Sequence, residues 1–149
     1  MTHVGRGLMA GAAATAVLSA LMVMKSMMGV MPKLDLPSMI AGMMGAPDMP
    51  ALGGVVHVMI GVVLYGLAIA LLDSRLPGRG HAKHGVLIGL GGWVVMMVAL
   101  MPMAGAGFFG MALGVMAPMM TLVLHAIFGA ILGWTYGVLG ARKTSKQLA

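Results

Sequence analysis

Four apolar runs, near Leu8–Met28, Leu52–Leu72, Gly85–Met101 and Met119–Leu139, leave this chain few folds to choose from. Each is close to the roughly 20 residues a helix needs to cross about 30 Å of hydrocarbon. The runs are continuous rather than alternating, which argues against the every-second-residue pattern of a membrane β-barrel. Backbone polar groups in lipid must be satisfied within a helix or a closed barrel, so helices remain. Only 8% of the 149 residues are charged, and mean hydropathy is +1.03. A soluble domain carries roughly 25% charged residues, and so few charges cannot cover a water-facing surface. The expected fold is an all-α integral membrane protein with four transmembrane helices, residues 1–149 forming a single membrane domain.

Basic residues set the expected orientation. Arg6 precedes the first run, Arg75, Arg79 and Lys83 separate the second from the third, and Arg142, Lys143 and Lys146 follow the fourth. The positive-inside rule places all three groups in the cytoplasm, with both termini inside. This topology accounts for the net charge of +6. No basic and aromatic residues interleave, so nucleic acid is not an expected partner. Arg6 and the apolar stretch Ala12–Leu21 have the look of a signal peptide, but the segment is read as a retained span. With no cysteine in the sequence, disulfides, thiolate metal sites and thiol catalysis are excluded.

The two outer connections, about 32–50 and 102–118, are apolar yet too short to span. Within them, LPSMIAGMMG (Leu36–Gly45) and AGFFGMALG (Ala106–Gly114) read as short interfacial or re-entrant helices, or as ordinary surface loops. A repeat runs through the chain. Met31-Pro32 and Met101-Pro102 each close a span, a short apolar segment follows, and a Pro-x6-His-x3-Gly phrase opens the next span. The chain therefore reads as two parallel copies of helix, outer segment, helix, related by an axis along the membrane normal. Small residues four apart, such as Gly129, Gly133 and Gly137, or Gly85 and Gly89, let helix backbones approach where lipid supplies no hydrophobic drive.

The repeated phrase carries the candidate chemistry. It places His57 after Pro50 and His125 after Pro118, at matching depth, with Gly61 and Gly129 one turn further on. An ionisable side chain inside a span is costly and marks a functional candidate. Two imidazoles at one depth suit a shared ligand, and neutral imidazole binds iron, copper and zinc. Two histidines with two glycines that leave room for a macrocycle point to bis-histidine haem b. Lys25, with Lys33, lies on the outer side, where haem propionates would reach. The plainer alternative is that each histidine hydrogen-bonds a neighbouring helix, through Ser19, Thr121 or a backbone carbonyl. Roles in proton relay or quinone contact stay open too.

Twenty methionines, many toward the outer side (Met24, Met27, Met28, Met31, Met39, Met43, Met44, Met49, Met101, Met103, Met116, Met119 and Met120), offer a second reading. Thioethers are soft ligands that select Cu(I), but methionine is also a flexible apolar filler. Lys25 is expected to snorkel to the interface or pair with Asp35 or Asp48, and Asp73 to pair with Arg75. His81 and His84 have ligand-like spacing but no cysteine or acidic companion in the local sequence. Trp93, Trp134, Tyr65 and Tyr136 read as interface or packing residues, and Phe108-Phe109 as a headgroup anchor. No phosphate loop is present, and no carboxylate lies inside a span to partner the histidines in hydrolysis.

The stretches MPKLDLPSMIAGMMG and MPMAGAGFFG, with HVMIGVVLYG and HAIFGAILGWTYG, resemble a family of small bacterial inner-membrane proteins. That family is catalogued only as a domain of unknown function. The resemblance covers nearly the whole chain and implies four membrane helices in the bacterial inner membrane. It implies no reaction. The residues themselves lead to a haem b-binding electron-transfer protein, or a small subunit of a respiratory or other redox complex, rather than an enzyme on its own. Two alternatives stand beside it: a cofactor-free accessory or assembly subunit, packed against larger membrane subunits or its own copies, and a Met-rich copper-handling protein.

Overall fold

A computed structural model describes residues 2–147, with side chains through residue 141. Every regular element among them is helical. The long helices are α1 (His3–Met27), α3 (Pro50–Leu72), α4 (His81–Met103) and α5 (Met116–Gln147), and the short α2 spans Leu36–Met43. The four long helices are each long and apolar enough to cross a membrane. The protein is thus a multi-pass α-helical membrane protein. The side chains of Arg142, Lys143 and Lys146, used above for orientation, lie outside the described residues.

The helices start earlier than the apolar runs do, because caps rather than hydropathy set their ends. Thr2 opens α1, its Oγ1 accepting the Gly5 N–H at 3.1 Å. Pro50 occupies the first turn of α3, where its missing N–H costs nothing. Gly78 and Gly80, with φ of 101° and 106°, turn the chain back from α3 into α4.

The helices form two hairpin pairs, α1 with α3 and α4 with α5, and each pair is closed by glycine. A Cβ on Gly11 would come within 2.7 Å of the carbonyl oxygens of Gly61 and Val62. One on Gly66 would sit 2.8 Å from the Gly7 oxygen. In the second pair, Gly85 and Gly89 face Gly129 and the His125 carbonyl. These are the close backbone approaches that small residues permit in lipid. The pairs join where α1 meets α5, around Ala10, Ala14, Leu18, Ile69, Phe128, Leu132 and Tyr136. Since α1 and α4 both begin at the end carrying Arg6 and Arg75, the halves run in parallel, as the repeat predicts.

Opposite that basic end lies a capped end, and here the halves differ. In the first, α2 packs on α3 so closely that a Cβ on Gly53 would strike the Pro37 carbonyl oxygen. Ile40 and Ala41 are buried beneath it. In the second, Phe108–Leu113 makes a 3₁₀ segment instead of an α-helix. Its Phe109 and Gly110 take φ of 55° and 68°, which an α-helix cannot hold. This segment covers a small core of Met96, Met97, Met101 and Ala106.

Two helices carry a widened π-helical turn, α3 at Ile60–Leu64 and α4 at Met96–Leu100. Such turns recur at functional sites, where they redirect side chains. Both lie beside a gap between α3 and α4, whose mutual contacts are sparse beside those within each hairpin.

Candidate functional site

The gap is a cavity of about 460 Å³. All four long helices contribute to it, and Leu36 and Ile40 of the α2 segment close it at the capped end. Leu64 and Val95, on opposite rims, are 62% and 60% exposed, so the cavity opens sideways toward lipid between α3 and α4. The walls are almost wholly apolar. Its volume falls within the roughly 300–1,000 Å³ of small-molecule sites, which are apolar with few polar groups.

His57 and His125 are among those polar groups. Both line the large cavity, and both also line a second, smaller one of about 40 Å³ beside it. The fold thus brings together the two histidines that the repeat singled out. His125 donates its Nδ1–H to the Thr121 carbonyl one turn back, at 2.8 Å. That bond sets the tautomer and leaves Nε2 with a lone pair. His57 Nε2 is buried with no hydrogen-bond partner. Thr15 Oγ1, in the same wall, is buried and unpartnered too. Such atoms are few in native proteins and each requires a reason. Among the described side chains there are three, Arg6 Nε being the other, and two of the three belong to residues that line this cavity.

The two glycines divide. Gly61 lines the cavity, but a Cβ there would collide with the Thr15 side chain. Gly129 faces away, and a Cβ there would meet the Gly85 carbonyl and Val86 Cα. Helix packing therefore accounts for both missing side chains. Lys25 reaches the smaller cavity from the capped end. Its Nζ donates to the Met31 and Leu34 carbonyls, at 3.2 and 2.6 Å, and pins the turn that leads into α2. A snorkelling role thus comes with a definite partner, the loop backbone rather than Asp35 or Asp48. Of the outer methionines, Met27 and Met28 are 83% and 70% exposed, whereas Met39, Met43 and Met103 line one open groove. Met101 instead packs with Met96 and Met97 in a small core. Among the aromatic residues, Trp93, Tyr65 and Tyr136 make packing contacts, while Trp134 is exposed.

At the basic end the fold makes a cluster that local sequence does not show. Asp73 receives both His81 and His84 instead of Arg75. Burial opposes the charged carboxylate, but hydrogen bonds and the charges of the two rings outweigh it, holding Asp73 below the usual aspartate value. Nearby, Arg6 lies over the Tyr136 ring, 4.2 Å from its centroid, and donates to the Tyr136 carbonyl at 2.9 Å.

These features define a class: a four-helix membrane protein of two parallel hairpins, with a side-opening apolar cavity under two histidines. Residues 1–147 match the model of a family of unknown function, DUF6789, and the chain belongs to that family. No curated protein and no solved structure matches it.

Proposed function

We propose that this protein binds one b-type haem between α3 and α5, with His57 and His125 as axial ligands, and carries electrons within the membrane. The observation that carries the reading is the pair of imidazoles on one cavity. One is oriented by a backbone carbonyl, and the other holds a buried nitrogen with no partner. An iron centre would use both free nitrogens, and bis-imidazole iron supplies one-electron chemistry. The apolar walls would hold the macrocycle and exclude water. Lys25 already donates to two carbonyls, and one of its three N–H groups remains for a propionate. The side opening between Leu64 and Val95 would admit the ligand from lipid. With so little of the chain exposed to water, the electron partners are membrane components, and a small subunit of a redox complex fits this size. The basic end, with Arg6, Arg75, Arg79 and Lys83, faces the cytoplasm of a bacterial inner membrane in this reading.

The test is the optical spectrum and iron content of protein purified from cells supplied with haem precursor. The expected result is a Soret band, sharp α and β bands on reduction, and about one iron per chain. His57→Ala and His125→Ala should each remove the reduced α band. An iron-free, colourless wild-type protein overturns the proposal. Copper in its place would favour the methionine reading, and co-purified subunits without either metal would favour an accessory role.

A further inference from the structure

The second site lies at the other end of the bundle. Asp73 follows the last residue of α3, and His81 and His84 lie one turn apart at the start of α4. The glycine-hinged loop between them folds all three onto one point. His81 Nδ1 is 2.8 Å from Asp73 Oδ1 and 2.9 Å from Oδ2. His84 Nδ1 is 2.8 Å from the same Oδ1. One ligand atom from each residue lies within 4.8 Å of the other two.

Counting protons around His84 adds an independent point. Its Nε2 is 3.3 Å from the Gly78 carbonyl oxygen, and its Nδ1 faces a carboxylate. Both neighbours only accept. A neutral ring has one N–H and can satisfy one of them. The second contact therefore needs a positive charge, a ring proton or a metal ion; with the one N–H on Nε2, donated to Gly78, the Nδ1 lone pair is left for an ion that Asp73 shares. A backbone carbonyl holding the far nitrogen of a ligating histidine is the usual outer support of a metal site. His84 is 7% exposed and so held in place, whereas the His81 side chain is 46% exposed. The site therefore has a firm inner wall and a side open to water. Tyr136 backs the His81 ring at 5.7 Å, edge to face.

We propose that Asp73, His81 and His84 form a binding site for a divalent transition-metal ion, zinc by preference. Two imidazole nitrogens and one carboxylate oxygen suit zinc, and three protein ligands leave a fourth position for water. Hard cations such as magnesium prefer oxygen, and copper(I) prefers sulfur. The ion would tie the end of α3 to the start of α4, beneath the gap those helices border. The site is independent of the haem reading, since it shares no residue with it.

The test uses the full chain, purified in detergent without a polyhistidine tag and stripped with chelator. Cobalt(II) is the probe, because tetrahedral coordination gives strong visible bands, and zinc is the competitor. About one cobalt per chain is expected, displaced by zinc. Asp73→Asn should weaken uptake, and His81→Ala with His84→Ala should abolish it. Uptake should survive in His57→Ala, which separates this site from one between α3 and α5. His81→Gln and His84→Gln, checked for helix content by circular dichroism, guard against simple unfolding. Wild-type protein that takes up no cobalt, or uptake undiminished in folded His81→Gln/His84→Gln, overturns the proposal. In the first outcome the cluster is only an ion pair of imidazolium and carboxylate.

Discussion

Gly85 and Gly129 meet back to back. A Cβ on either would strike the carbonyl oxygen of the other, so neither helix can accept a side chain at this crossing. The contact holds α5 on α4 and sets the angle at which His125, one turn before Gly129, reaches the cavity.

Gly129→Val should therefore be among the most damaging single changes in the second hairpin. Overpacking a tight contact costs about 1–3 kcal/mol. The matched control is Gly91→Val in α4, where an added Cβ meets no atom within 4 Å. Thermal melting in detergent should show a clear drop for Gly129→Val and little change for Gly91→Val. Equal melting temperatures would mean that the hairpin does not depend on this crossing.

Gly91 also lines the large cavity, so a larger side chain there tests the cavity rather than the fold. Gly91→Leu should narrow the space between α3 and α4. Bound haem per chain should fall several-fold, while the haem-free chain melts as wild type does. Unchanged haem content would place the ligand elsewhere.

Asp35 caps α2, the helix whose Leu36 and Ile40 close the cavity. Its carboxylate accepts the Ser38 N–H at 3.3 Å and the Ser38 hydroxyl at 2.6 Å. Loss of such a cap costs about 1 kcal/mol. In Asp35→Ala, hydrogen exchange of the Ile40–Met43 amides should quicken by roughly fivefold, since 1.4 kcal/mol is a factor of ten. Exchange in α5 should not change. A uniform rise across the chain would instead indicate global destabilisation.

The architecture was legible because lipid imposes it. Long runs with few charges leave only helices, and the repeat of Pro50-His57 in Pro118-His125 paired two side chains that the fold does bring to one cavity. What sequence missed was whatever depends on which way a side chain turns. Gly129 occupies the same register as Gly61, yet it faces α4 and not the cavity, because each helix has a different neighbour. The Asp73 cluster was missed for a similar reason. Arg75 is nearer in sequence, but two positive-φ glycines reverse the loop and bring His81 and His84 instead. The spacing of His81 and His84 was the signal the sequence did carry, and the acidic companion came from across the loop. In the capped connections, apolar composition identified the segments but not their form. Glycines at 107, 110 and 114, all with positive φ, turned one of them into a 3₁₀ segment.

Trp93 offers a test of how much one polar contact holds the hairpin at the capped end. Its Nε1–H points at the Pro118 carbonyl, 3.2 Å away, and the Thr121 hydroxyl, 3.1 Å away. That hydroxyl in turn donates to the Ala117 carbonyl at 2.7 Å, so its lone pair is free to accept from Trp93. The ring also packs edge to face on Phe109, with centroids 5.9 Å apart. Trp93→Phe keeps an aromatic ring against Phe109 and removes the donor together with part of the indole's packing, a loss that a double-mutant cycle cancels. Hydrogen bonds between membrane helices average about 0.6 kcal/mol and reach about 1.7. A double-mutant cycle of Trp93→Phe with Thr121→Val, followed by unfolding in mixed detergent, should give a coupling of about that size. Full additivity would show that the Thr121 hydroxyl adds nothing and that the Pro118 carbonyl and ring packing hold the indole. In that case His125, one turn beyond Thr121, would gain nothing in position from the Trp93–Thr121 contact.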